Sequence, residues 1–226
     1  MPPPQRSRSR VSPTAIRQRI GQQAPKAEAP TNDAGAKMRL IEAAITLCCR
    51  KGVAGTSVDE IVGESGVARM TLYNRYGSKD ALIQAALAHE AGVWRAWFFT
   101  RLAETRGSPD ERLFALFDIL EEWFTREDYL GCALMNAAME SRQRDRKLDE
   151  IIHAHKSHLL DQLRALVAAT GAVNVEEFAQ QLDLLMDGAI VKAAIKRSPT
   201  PAREAKSIVK ALLSRLPRNA EAELAP

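Results

Sequence analysis

Apolar residues along this chain recur at three- and four-residue spacing almost throughout, and sustained alternation of apolar and polar positions is missing. From residue 36 onward, turn residues cut that pattern into segments. Gly52 and Gly55 end a first helix predicted over 36–51, and Ser65-Gly66 separates short helices over 57–64 and 68–75. Ser78, with Asp80 in the first turn, is placed to cap a long helix over 78–104. Gly107-Ser108-Pro109 opens a helix over 109–126 with proline in its first turn. Gly131 precedes 132–142, Gly171 closes 146–170, Asn174 is placed to cap 175–197, and Ser198-Pro199 breaks the chain before 201–216. The pattern predicts an all-α fold of about nine helices with no sheet.

The three helices of residues 36–76 have the layout of a helix-turn-helix. Leu40, Ala44, Leu47 and Cys48 fall on one face of the first. Gly66 supplies the backbone freedom of a tight turn, with Ile61, Val67 and Leu72 placed to lock the next two helices together. The last of the three then presents Arg69, Met70, Thr71, Tyr73 and Asn74 outward. Arginine can read guanine, asparagine adenine, and threonine or methionine a thymine methyl. Tyr73, Tyr76 and Lys79 are candidates for phosphate contacts, as are Thr56 and Ser57 at the preceding helix start. A three-helix corner in an ordinary bundle would show the same spacing.

Thr56-Ser57-Val58-Asp59-Glu60-Ile61, followed by Gly66-Val67-Ala68-Arg69-Met70-Thr71-Leu72-Tyr73-Asn74-Arg75-Tyr76-Gly77-Ser78-Lys79-Asp80-Ala81-Leu82, resembles the TetR/AcrR family of bacterial transcriptional regulators. The nine-helix layout extends the likeness over residues 36–216. The resemblance implies a homodimer that binds a palindromic double-stranded DNA operator and releases it when a small molecule enters the C-terminal domain. It places Thr56, Tyr73 and Lys79 at phosphate-contacting positions and Arg69, Thr71 and Asn74 on the recognition helix. Three residues depart from the family's usual pattern. Val62 stands where alanine is common, Ala68 where serine or threonine would cap the recognition helix, and Met70 where glycine or proline is frequent.

Charge divides the 226 residues unevenly. The formal net charge is +4; residues 1–35 alone carry +4, residues 36–88 carry +2, and 89–226 carry −2. A basic front and a slightly acidic back point to a polyanionic partner at one end. The prolines, arginines and serines of the first 35 residues leave nothing to bury, so a disordered basic tail is expected, either adding electrostatic affinity for DNA or serving as a linker. The expected organisation is tail 1–35, DNA-binding domain 36–82, ligand-binding and dimerisation domain 83–216 and flexible tail 217–226. Three cysteines make no disulfide framework, no apolar run approaches the roughly 18 residues of a membrane span, and no signal peptide is visible. A soluble cytoplasmic protein is expected, with no membrane partner.

In the C-terminal half, the long helix would span about 40 Å at 1.5 Å per residue and could act as a lever. Trp94, Trp97 and Phe98 on it, with Phe117 and Trp123 on the next, are either core or the wall of an apolar pocket. Asn136, Met139 and Glu140 on 132–142, and His155 at the centre of an apolar stripe on 146–170, complete the candidate ligand contacts. Many family members carry a similar Gly131-Cys132…Asn136…Glu140 stretch followed by His155-Lys156. The helix over 175–197 has a second apolar stripe of Leu184, Gly188, Val191 and Ile195, and the last helix offers Ile208 and Leu212. Two such helices from each of two subunits would form an isologous four-helix interface. No nucleophile–base motif, phosphate loop or metal cluster is present in the sequence, so neither catalysis nor a cofactor is expected. A constitutive DNA-binding regulator without an effector, or a small all-helical enzyme or carrier using His155 and Glu140, are the alternatives.

Overall fold

A computed structural model describes residues 32–127, 129–140 and 145–217. Among them are nine helices and no strand: α1 (Asn32–Lys51), α2 (Val58–Ser65), α3 (Arg69–Tyr76), α4 (Lys79–Glu104), α5 (Pro109–Phe124), α6 (Ala133–Glu140), α7 (Arg146–Ala169), α8 (Val175–Lys196) and α9 (Thr200–Leu213). The basic tail expected over 1–35 lies outside the described residues except for its last four, which are already helical as the start of α1. Of the expected C-terminal tail only Pro217 is described; its carbonyl accepts from the Val173 N–H at 3.1 Å.

The helix starts follow local chemistry. Ser78 Oγ accepts from the Ala81 N–H at 3.1 Å and caps α4. Ser108 caps α5 in a reciprocal pair: its hydroxyl accepts from the Glu111 N–H, and the Glu111 carboxylate accepts from the Ser108 N–H. Asn174 departs from expectation, because its side chain makes no capping bond to α8.

Three apolar cores result. Leu40, Ala44, Ile61, Leu72 and Leu82 fill the first, where α1, α2 and α3 close on the start of α4. Phe98, Phe117, Leu163, Phe178, Leu182 and Val209 belong to the largest, shared by α4, α5, α7, α8 and α9. A small third core joins them: Cys48 of α1, Ile83 and Leu87 of α4, Ala133 and Ala137 of α6, and Leu148 of α7. α4 runs through all three, and at 26 residues it is the continuous spine between the two ends of the molecule.

Candidate nucleic-acid interface and apolar cavity

The α2–α3 corner is built by short-range bonds. Ser57 and Glu60 form a reciprocal cap at the start of α2, with Ser57 Oγ accepting from the Glu60 N–H and Glu60 Oε2 accepting from the Ser57 N–H. Gly66 ends α2 at φ +62°, and a Cβ there would meet nothing within 4 Å, so the left-handed dihedral is what favours glycine. Ile61, Val67 and Leu72 are buried beneath the turn. Val62 lies half-buried at the edge of the same core. The start of α3 has no side-chain cap at Ala68.

This corner projects Met70 (69% exposed), Tyr73, Asn74 and Arg75 from α3. Thr71, Asn74, Arg75 and Tyr76 border a polar concavity with Lys37 of α1. The sequence reading missed Lys37 and Arg75. Lys37 lies in the second turn of α1, which begins at Asn32 rather than at the expected residue 36. Arg69 pairs with the Asp59 carboxylate of α2. Both partners are exposed, a setting in which such pairs are weak and a base edge can compete.

Two side-chain hydrogen bonds reach from this end of the chain to α6 and to the start of α7. The Ala54 N–H donates to Glu140 Oε2 at 3.1 Å, linking the loop after α1 to the end of α6. Gln84 of α4 donates to Asp145, the residue that caps α7.

Between α4, α6, α7 and α8 lies a cavity of about 210 Å³ with largely apolar walls, among them Trp94, Trp123, Met135, Ile152 and Ile190. Cys49 of α1 is also on its wall, so the N-terminal three-helix unit touches the cavity through α1. His155 is buried, and Arg95 Nη1 lies 3.2 Å from its Nδ1. Burial, aided by the Arg95 charge, pulls the imidazole down to about 4, so the ring is neutral near pH 7. Burial alone would lower Lys156, but hydrogen bonds to Asp183 (2.6 Å) and Asp187 (2.8 Å) outweigh it and hold the ammonium above its ordinary value. Burial raises the Asp187 carboxyl and the Cys132 thiol. Among the described residues, no three His, Cys, Asp or Glu side chains are grouped to hold a metal ion.

A separate apolar face lies on the outside of α8 and α9. Leu184 (72% exposed), Ile195 (76%), Val191 and Ile208 are open to solvent, and a Cβ on Gly188 would meet nothing within 4 Å. Leu212 is half-buried against the main core. It therefore spends most of its surface inside the chain.

Two family models match the chain: residues 40–86 match the N-terminal unit described as "Bacterial regulatory proteins, tetR family", and residues 109–209 match "Tetracyclin repressor-like, C-terminal domain". The chain belongs to the tetR family. It is 26% identical over 163 residues to the HTH-type transcriptional regulator BetI of Rhizobium meliloti, covering 71% of this chain and 78% of that protein. Among solved structures, a TetR-family regulator from Streptomyces coelicolor superposes with a TM-score of 0.74 at 24% identity, over 80% of this chain and 95% of that one. A TetR regulator from Chloroflexus aurantiacus gives 0.72 at 24% identity, over 83% and 98%. The protein is a DNA-binding transcriptional regulator of this family. No helix among the described residues is long and apolar enough to cross a membrane.

Within this tetR-family frame the expected site residues take different positions. Thr56 is 1% exposed, and its hydroxyl donates to the Gly52 carbonyl at 2.7 Å, turned inward rather than toward a phosphate. Lys79 Nζ donates to the Thr56 carbonyl at 3.0 Å, bracing α4 against the same loop. The Tyr76 hydroxyl is covered and has no hydrogen-bond partner among the described residues. Ser57, Tyr73 and Asn74 remain exposed. Of the expected ligand contacts, Trp94, Trp123 and His155 line the cavity. Phe98 and Phe117 are fully enclosed core, and Trp97 packs on that core away from the cavity walls. Asn136 is off the cavity wall, Met139 is 82% exposed, and Glu140 faces the Gly52–Ala54 turn. Spacing placed these residues on helices that border the cavity, but the neighbours across each face decided which side chains met.

Proposed function

We propose that this tetR-family protein is a homodimeric repressor that grips a palindromic operator through two copies of α3 and leaves it when a small molecule fills the cavity. The observation that carries the reading is the shared wall. Cys49 of α1 and Ala133, Leu134, Met135 and Ala138 of α6 all border the cavity, and α6 ends in the Glu140 contact to the reading unit. Close-packed surroundings transmit rather than absorb a displacement, so an occupant pressing on α6 and α1 moves the α2–α3 corner.

The exposed Leu184–Ile195 face supports pairing of two chains, because exposed apolar stripes of this kind call for a partner and two-fold association covers the same patch on both. Pairing would set two α3 helices in successive major grooves. The reading asks for no catalytic step, and places the protein with the chromosome in the cytoplasm.

The test begins by selecting bound fragments from random DNA with the full chain. Compounds are then screened for release of the selected fragment by fluorescence anisotropy. A palindromic fragment released by a cavity-filling compound supports the reading. A fragment that no compound releases favours a constitutive regulator.

A further inference from the structure

The first turns of α1 lie beside α3. Lys37 is exposed and borders the same open concavity as Thr71, Asn74, Arg75 and Tyr76. On α3, Thr71, Asn74 and Arg75 stand three and four positions apart and so share one face. Met70 and Tyr73, also three apart, are open to solvent on the adjoining face. The concavity therefore runs along the flank of the face that α3 turns outward.

The chemistry of its wall is one-sided. Lys37 and Arg75 bring two positive charges, and Thr71 and Asn74 add a hydroxyl and an amide that can donate. No described acidic residue borders the concavity. A base edge mixes donors and acceptors, whereas a phosphate offers acceptor oxygens and a negative charge. Lys37 supplies a compact charge on a flexible stem, which suits a phosphate better than the paired contacts that single out a base.

A duplex brings a phosphate to that flank. A helix in the major groove lies in a channel about 12 Å wide, with a strand backbone along each side. When the Met70–Tyr73 face meets the base edges, one of those backbones passes the Lys37 side of α3.

We infer that Lys37 of α1 holds a backbone phosphate of the operator, beside Arg75, and so fixes the register of α3 in the groove without reading sequence. This rests on α3 being the helix that enters the major groove, and it adds α1 to the DNA surface. The other end of α1 borders the cavity at Cys49. The helix that holds the DNA backbone is thus also one that an occupant of the cavity touches.

The full chain and its Lys37→Gln and Lys37→Arg variants are titrated by fluorescence anisotropy against the selected operator and a scrambled duplex of equal length, over a series of salt concentrations. Lys37→Gln is expected to reduce the slope of log affinity against log salt by about one and to weaken both duplexes by the same factor, and Lys37→Arg to restore the slope. A second series carries one uncharged methylphosphonate linkage at each position of a half-site in turn. At one position the linkage is expected to weaken binding of the wild type while leaving Lys37→Gln within about twofold of its affinity for the unmodified operator. The inference is overturned if Lys37→Gln keeps the wild-type slope, or if every methylphosphonate weakens it as much as the wild type. It is also overturned if Lys37→Gln changes the preference between the two duplexes, because Lys37 would then read bases. The placement of α3 is tested separately by Asn74→Ala, which should lower the operator's advantage over the scrambled duplex while keeping the salt slope. An unchanged advantage contradicts that placement independently of the Lys37 result.

Discussion

Glu140, the last residue of α6, accepts a hydrogen bond at 3.1 Å from the backbone N–H of Ala54, 86 positions earlier in the chain. Gly52 makes the approach possible: at φ +79° a Cβ would sit 1.9 Å from Glu140 Oε1. The same short helix gives four residues to the cavity wall. One helix therefore touches both the occupant's space and the loop that carries the reading unit.

Glu140→Ala removes this link and leaves the cavity and α3 in place. Operator affinity without compound is expected to change by less than about threefold, as for an exposed hydrogen bond. The ratio of operator affinities without and with a saturating releasing compound is expected to fall. Paired anisotropy titrations measure that ratio. Gly52→Ala should act more strongly, because it adds a strained backbone to the lost contact, and should lower unfolding stability by about 1–2 kcal/mol in urea.

Thr56→Val keeps the shape of a buried side chain and deletes its bond to the Gly52 carbonyl. Stability should fall by about 1 kcal/mol. Because the hydroxyl points inward, the slope of log affinity for DNA against log salt should be unchanged. A slope reduced by about one would show a lost phosphate contact and contradict this placement.

The helices were legible in the sequence because caps and breakers act locally. Ser78 and Pro109 mark helix starts by chemistry contained within one turn, and Gly66 marks a turn by its own dihedral. Asn174 had the right residue type and still makes no cap, since its backbone conformation (φ −98°, ψ 65°) sets it outside the usual extended geometry. The site was less legible because its decisive contacts are long-range. Helical spacing puts Glu140 on the polar edge of α6, but only the fold brings Gly52 and Ala54 to that edge. Phe98 and Trp94 lie one turn apart on α4, yet one is enclosed core and the other borders the cavity. Cys49 carried no signal at all: its role as a wall depends on α6 and α7 packing over the far side of α1.

His155 makes stability depend on pH in a stated direction. Its folded pKa is about 4 against an ordinary 6.5, so between those values the unfolded chain binds the extra proton. Its contribution is full above about pH 6.5, declines as pH falls toward 4, and is then spent, with an upper limit of about 3 kcal/mol at 1.36 kcal/mol per pKa unit. Urea midpoints measured from pH 7 to pH 4 should fall less steeply for His155→Phe than for the wild type. Equal slopes would show that His155 is not the group responsible.

Gly188→Glu puts a charge on the exposed face of α8 where a Cβ has open space, so the single chain should fold as before. A shared α8–α9 interface would be broken by two like charges brought together. Light scattering should then report monomers for the variant and dimers for the wild type, with unchanged helicity by circular dichroism. A dimeric variant would place the interface elsewhere.

Filling the cavity from within the chain isolates its link to DNA, and the quantity to measure is the operator affinity of Met135→Trp without any added compound. Met135 lies on the cavity wall and the cavity is about 210 Å³, so the larger indole occupies part of the space an effector would take. If occupancy of this cavity is what moves the reading unit, the variant should fold as a dimer and bind the selected operator at least about tenfold more weakly than the wild type, a shift of about 1.4 kcal/mol. A folded, dimeric Met135→Trp protein that binds the operator as tightly as the wild type would contradict the link between cavity and DNA.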